Sequence, residues 1–300
     1  MSELFCDVNK RQDFVLLFDC ADGNPNGDPD NDNLPRTDPE TGQGLVTDVC
    51  LKRKIRNYID IKKGTEANYK IYIEERGYLV DKKKKAYEDL NIKAGDDKKL
   101  DEARLWMCMN FYDVRTFGGV LVGKKGEGYN CGQVRGPIQL TFSRSYDRVF
   151  SHDITITRVA LENSGEKKRE SDEEKATTGT MGRKALLPYG LYRGYGFFNP
   201  MLARGTGFSS EDLALFWEAV IHMFDLDRSA SRGLMALRGL YIFTHENEYG
   251  KAPAHKLFDL IRPVKKAEVE APRKFSDYYF NPKIEDVRTP EGVTFTALVS

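Results

Sequence analysis

Phe14-Val15-Leu16-Leu17-Phe18 is apolar at every position, the pattern of a strand buried within a sheet. The run breaks into Asp22-Gly23-Asn24-Pro25-Asn26-Gly27-Asp28-Pro29-Asp30, residues that favour turns and cannot form a core. The period then changes. From Thr47 or Asp48, either of which can cap free N–H groups, Leu51, Ile55, Tyr58 and Ile59 recur at helical spacing. Lys52, Arg53 and Arg56 fall off that face, where they either solvate the helix or meet phosphate.

Residues 61–136 read as an insertion, with highly charged stretches (Lys82-Lys83-Lys84-Lys85, Asp96–Glu102) beside the short apolar pieces Tyr69–Ile73 and Leu105–Tyr112. A glycine-dense segment from Gly118 to Gly136 leads into a predicted strand, Pro137–Phe142. Asp153–Ala160 alternates as a strand does. Glu162–Lys175 then carries ten charged residues in fourteen, so a protruding hairpin or mobile arm is expected before apolar structure resumes at Ala185. Ser209-Ser210-Glu211-Asp212 opens a second amphipathic helix through Leu213, Phe216, Trp217, Val220 and Phe224. Gly239–Thr244 is a further strand and Pro253–Ile261 a short helix.

Without the insertion and the arm, the order is strand, helix, strand, strand, helix, strand. This α+β pattern is the ferredoxin-like βαββαβ arrangement of many RNA-binding domains. The same arrangement hosts unrelated functions, so the order alone assigns none.

Composition narrows the class. Three hundred residues with 40% apolar content can fill one large domain or two small ones. No apolar run reaches membrane-spanning length, and Met1 to Asp13 is polar, so a soluble, cytoplasmic protein is expected. Cys6, Cys20, Cys50, Cys108 and Cys131 show neither zinc-ligand spacing nor pairing, which suits free thiols. The 46 basic and 46 acidic residues cancel, but they are segregated. Residues 22–40 carry a net of −5 and residues 51–63 a net of +5. Local blocks of both signs suit nucleic-acid binding on one face, or contact between copies.

Several motifs fall short. Asp22, Asn24, Asn26, Gly27 and Asp28 begin like a calcium loop, but Asn33 stands where a bidentate Glu is needed. Gly42-Gln43-Gly44-Leu45-Val46-Thr47 approaches a dinucleotide turn, too far beyond its strand. Arg193-Gly194-Tyr195-Gly196-Phe197-Phe198-Asn199-Pro200 matches the first five positions of the base-stacking RNP1 octamer and fails at the last. Tyr195 and Phe197 are thus either base-stacking or core. His152, His222, His245 and His255 are scattered, and no catalytic arrangement stands out.

A longer series of segments is more specific. It comprises Phe18-Asp19, Asn24-Pro25-Asn26-Gly27-Asp28-Pro29, Arg36-Thr37-Asp38, and Val46-Thr47-Asp48 into Leu51-Lys52-Arg53-Lys54-Ile55-Arg56. It continues with Asp113-Val114-Arg115-Thr116-Phe117-Gly118-Gly119, Gly136-Pro137-Ile138-Gln139, Pro188-Tyr189-Gly190-Leu191-Tyr192 and Arg228-Ser229-Ala230-Ser231-Arg232-Gly233. In these segments the chain resembles the backbone subunit of type I CRISPR surveillance complexes (Cascade), particularly type I-C.

The resemblance implies a non-catalytic protein without cofactor or metal, shaped like a hand. The RNA-recognition-like palm would be residues 1–60, 137–152 and 188–300, the fingers 61–136 and the thumb 153–187. Copies would stack head to tail on a CRISPR guide RNA beside other Cascade subunits. Each thumb would displace a base at regular intervals, leaving the others to pair with a target DNA strand. Related type III subunits cut RNA with a loop aspartate, so a ribonuclease on the same fold is the alternative. The implied RNA contacts are Asn24, Asn26, Arg36, Lys52, Arg53, Arg56, Arg115, Phe117, Gly118, Gly119, Arg135, Gln139, Met181, Arg183, Lys184 and Arg232. Grip on phosphate and sugar, by these cations and by the amides of the Gly118 loop, leaves base edges free.

Overall fold

The computed structural model describes residues 3–123, 128–158 and 180–300. Its first strand, β1 (Gln12–Gly23), is buried continuously from Gln12 to Cys20 because both of its faces are covered. Phe14, Leu16 and Phe18 point to one apolar cluster, Val15 and Leu17 to another. The short ribbon β2 (Gly27–Asp28) with β3 (Leu34–Pro35) folds the acidic loop back on itself, and β4 (Gln43–Val46) leads into α1 (Asp48–Lys63). Thr47 caps α1 by accepting from the Cys50 amide at 3.3 Å.

The segment that follows α1 has a small core of its own. It holds α2 (Leu79–Asp89), α3 (Leu100–Asn110), α4 (Tyr112–Phe117) and the pair β5 (Gly118–Val120) with β6 (Gln133–Arg135). Tyr72, Ala86, Tyr87, Met107, Phe111 and Val114 gather there. Tyr112 and Phe117, by contrast, belong to the main cluster and fasten the segment to it.

Three strands follow: β7 (Ile138–Leu140), β8 (Ser143–Arg148) and β9 (His152–Arg158). All three pair with the long β10 (Thr180–Phe198). After α5 (Pro200–Thr206) comes α6 (Ser210–Leu226), opened by a capping box between Ser209 and Asp212. The chain ends with β11 (Leu234–His245), α7 (Ala254–Phe258), the pair β12 (Pro263–Lys265) and β13 (Tyr278–Phe280), and β14 (Val293–Val299).

The result is a mixed α and β protein around one antiparallel sheet of eight strands, ordered β14-β11-β1-β10-β8-β4, with β7 and β9 on β10. Phe216, Trp217, Val220 and Phe224 of α6 pack with Leu51, Ile55 and Ile59 of α1 over one face. Leu257, Phe258 and Ile261 cover part of the other. The expected Phe14–Asp19 strand, the capped helix at Thr47 and the helix opened by Ser209 are all present. The charged stretch Glu162–Lys175 expected to form the arm lies outside the described residues, while the ends of the expected 153–187 thumb are the paired β9 and β10.

Candidate nucleic-acid interface

The sheet edge at β4 brings the N-terminus of α1 to the surface. There a cleft of about 480 Å³ is lined by Asn26, Arg36, Thr47, Asp48, Val49, Cys50, Arg53, Lys54, Phe142, Asp227 and Arg232. Four of the sequence-predicted residues meet in it: Asn26, Arg36, Arg53 and Arg232. Asn26 is fixed by its amide oxygen, which accepts from the Thr47 amide at 2.9 Å and from the Thr47 hydroxyl at 3.0 Å. The proline- and asparagine-rich loop is thereby locked onto the helix start.

Arg232 reaches the same loop, donating from Nη1 to the carbonyls of Pro25 at 2.7 Å and Asn24 at 3.2 Å. This approach depends on glycine. Gly233 has a φ of +61°, and a Cβ there would lie 2.4 Å from the carbonyl oxygen of Ala21. Asn24 is buried and donates to the Asn33 carbonyl at 2.7 Å, so it braces the loop and is not available to RNA.

The cations of the cleft differ in how much of their charge is committed. Lys54 is 2% exposed and binds Asp227, which also accepts from Asn57 at 3.3 Å. Burial opposes ionisation of Asp227, but Lys54 and Asn57 outweigh it and hold the carboxyl below its usual range. Among the described residues Arg36 has one carboxylate neighbour, Asp28, at 3.2 Å, and Arg53 has one, Glu75, at 4.0 Å. Arg53 and Arg232 thus stand with unspent charge beside the positive end of a 16-residue helix, with Arg36 next to them sharing its charge with Asp28, a setting that favours an anion. Lys52 contributes less, because it pairs with Asp48 at 2.8 Å and is 14% exposed.

Three expected contacts are interior instead. Arg56 Nε donates to Asp113 at 2.8 Å, and both side chains are buried. Asp113 also accepts the amides of Tyr72 at 2.7 Å and Ile73 at 3.1 Å. Arg115 is held two-pronged by Asp212 and donates to the Asn68 carbonyl. Phe117 is 6% exposed, with the cations of Lys52 and Arg56 over its ring at 5.6 and 5.3 Å. These residues lash α1, the inserted segment and α6 together. A buried guanidinium already satisfied by carboxylate has no reach to phosphate.

Next to them Gly118 turns the chain at a φ of +74°, and a Cβ there would lie 2.3 Å from the Val134 carbonyl oxygen. Gln139 braces this turn, donating to the carbonyls of Gly136 at 3.0 Å and Phe117 at 3.3 Å. A Cβ on Gly119 would make only an ordinary contact, with Leu121 Cδ2 at 3.8 Å among the described residues, and Arg135 is exposed on β6. At the arm's base Arg183 is 82% exposed beside Asp153 at 3.7 Å, and Lys184 donates to the Ala230 carbonyl. Met181 pairs through its backbone with Thr157, while its side chain lies outside the described residues.

The RNP1-like strand is covered where base stacking would require it open. The Tyr195 ring stacks on Phe258 at 4.4 Å, and Phe197 meets the same ring at 5.7 Å. His245 is buried against Asp13 at 2.8 Å, with its Nδ1 accepting the Lys251 amide, so it is structural. Among the described residues no three His, Cys, Asp or Glu side chains are grouped to hold a metal ion, and no helix is long and apolar enough to cross a membrane. Sequence reasoning passed over Lys54, Asp227 and Phe142, the last an aromatic ring 55% exposed at the mouth of the cleft.

Comparison with known proteins bears on this geometry. The family model described as CRISPR-associated protein Cas7 matches residues 10–283. The CRISPR-associated protein Cas7 of Haloferax volcanii is 25% identical over 233 residues, covering 70% of this chain and 64% of that protein. The chain therefore spans a little under two thirds of that relative's length. A chain of the CRISPR RNA-guided surveillance complex, pre-nicking, superposes with a TM-score of 0.50 at 17% identity, over 78% of this chain and 75% of that one. A chain of another CRISPR RNA-guided surveillance complex gives 0.46 at 14% identity, over 78% and 68%. The first of these is a likeness of fold.

Proposed function

The chain belongs to the CRISPR-associated Cas7 family, and from that premise we propose that it is a non-catalytic, guide-RNA-binding backbone subunit of a Cascade surveillance complex. The observation that carries this reading is the cleft at the start of α1, where Arg53 and Arg232 keep uncommitted charge around a helix N-terminus and Arg36, paired with Asp28, lies beside them. A holder of guides with varied sequence needs such a phosphate grip and no base readout.

The finer reading has the same source. The palm is a ferredoxin-like βαββαβ unit, supported by the strand order β11-β1-β10-β8 with α1 and α6 on one face. Residues 61–136 are the fingers, supported by their separate apolar cluster, and 153–187 the thumb, supported by the β9–β10 pairing at its base. The thumb displaces guide bases at intervals, and the remaining bases pair with a target DNA strand. Copies stack head to tail in the cytoplasm with other Cascade subunits, and the type I-C segments shared along the chain favour that branch.

The test is the nucleic acid that accompanies the purified protein, resolved on a denaturing gel. Intact RNA of defined length is expected. Absence of RNA, or RNA shortened on incubation in a divalent- or histidine-dependent way, overturns the reading.

A further inference from the structure

Beside the basic cleft lies a pocket of the opposite character, about 290 Å³ in volume. Its walls include Asp60 and Ile61 of α1, Ile71 and Ile73 of the inserted segment, and Leu226 and Asp227 at the end of α6. Asp227 also lines the cleft and so divides the two. We propose that this pocket docks a basic, aliphatic segment of a partner protein, taking one aliphatic side chain into the hollow and pairing an adjoining lysine or arginine with the rim. The site is separate from the RNA-holding cleft and does not depend on it.

The hollow is apolar where a side chain would enter. Ile61, Ile73 and Leu226 are all exposed, and they meet beside the buried Ile71. A single exposed aliphatic residue is ordinary, but three from separate elements around one hollow mark a contact surface. The volume falls just under the range of small-molecule sites, which starts at about 300 Å³, and suits one side chain.

The rim selects the charge. Glu74, Glu75, Asp60 and Asp227 face a single guanidinium in the lining, Arg56, and Arg56 is spent on buried Asp113. Glu74 pairs with Lys82 at 2.8 Å, Asp227 with Lys54, and Glu75 with Arg53 at a loose 4.0 Å. Asp60 is exposed and has no cationic partner among the described residues. The end of α6 adds to this field, because the last turn of that 17-residue helix carries no basic side chain. Its free carbonyls hold the partial negative charge of a helix C-terminus, which favours a cation. Phosphate is repelled by such a set, whereas a cation next to an aliphatic side chain matches both the rim and the hollow.

The probe is the end-blocked peptide Gly-Arg-Leu-Arg-Gly, followed through the isoleucine methyl signals by NMR. It should shift the methyls of Ile61 and Ile73 and bind about tenfold or more tightly than Gly-Arg-Ser-Arg-Gly, the effect of burying one aliphatic side chain. Gly-Glu-Leu-Glu-Gly should not bind. Ile61→Ser with Leu226→Ser, both at exposed positions, should remove the preference for leucine, and Asp60→Asn should weaken the basic peptide severalfold. None of these changes should alter RNA binding, so the pocket and the cleft fail separately. Absence of binding, equal binding of the leucine and serine peptides, or a leucine preference that survives the double variant overturns the site. Shifts of the same methyls by a short oligoadenylate would assign the pocket to nucleic acid, and a lower mass of the RNA-free protein in the double variant would assign it to a second copy; either result overturns the foreign segment as its occupant.

Discussion

Arg115 and Asp212, 97 positions apart, form a two-pronged ion pair, Nε to Oδ2 at 3.0 Å and Nη2 to Oδ1 at 2.7 Å, with both side chains buried. Asp212 also closes the cap of α6 by accepting the Ser209 amide at 3.0 Å. One carboxylate thus ties the inserted segment to the helix that roofs the sheet. The residues that single out this chain along its Asp113–Gly119 stretch are joints of the scaffold.

Arg115→Met should consequently cost stability before it costs binding. Removing one partner of a buried pair leaves the other charge uncompensated, a loss of about 3–5 kcal/mol. Urea unfolding should show this as a lower midpoint. A variant with unchanged stability and reduced RNA affinity would return Arg115 to the interface.

Within α1 the neighbouring cations should separate by role. Arg56→Ala leaves Asp113 buried without its guanidinium and should lower stability by about 3 kcal/mol. Arg36→Ala with Arg53→Ala should leave the melting temperature nearly unchanged. It should also flatten the salt dependence of RNA binding by about 0.7 in log–log slope for each phosphate no longer neutralised. Equal salt slopes for the double variant and the parent would remove both arginines from the site.

Gly118 and Gly119 should respond oppositely to a single methyl group. Gly118→Ala forces a side chain into positive φ and against the Val134 carbonyl, so about 2 kcal/mol or more should be lost. Gly119→Ala meets, among the described residues, only Leu121 Cδ2 at 3.8 Å and should be close to neutral in stability. Calorimetry of the two variants distinguishes a backbone requirement at one position from a general need for a flexible loop.

The Asp38–Arg144 contact should be visible in acid. A hydrogen bond from Arg144, aided by the amides of Thr41 and Glu40, lowers the Asp38 carboxyl to about 2. Its folded-state value is depressed, so the stability it contributes is present above the ordinary carboxylate range and is lost as pH falls toward 2. Carboxyl NMR between pH 5 and pH 3.5, a window set by the ordinary aspartate value of about 3.9, should show Asp38 still ionised. In Arg144→Ala the same carboxyl should already be titrating there.

Removing residues 163–178 should leave a soluble, folded monomer, since almost no apolar side chain goes with them. It should prevent regular multi-copy assembly on a long guide, as read by mass measurement of the complex. Full-length assemblies formed by the deletion variant would place the drive for assembly elsewhere.

Much of this protein is decided locally, and those parts the sequence alone determined. The continuous apolar run of β1, the Thr47 cap with its Leu51, Ile55 and Ile59 stripe, and the Ser209–Asp212 capping box depend on residues within a few positions of one another. Their outcome can be read without knowing the rest of the chain. The gathering of Asn26, Arg36, Arg53 and Arg232 was legible as a set of segments, though not as one cleft.

Which charges remain free was settled only by the tertiary structure. Off the apolar stripe of α1, Arg53 faces water while Arg56 is buried, because Asp113 arrives from a segment 57 positions away and takes it inward. Tyr195 was ambiguous for a similar reason: Phe258, far along the chain, covers its ring. Phe142 gave no signal, since a single aromatic in a strand does not reveal which cavity the neighbouring elements will leave open. A side chain's type and spacing fix what it can do; the elements that pack around it fix whether that capacity is spent inside the protein or left for a ligand.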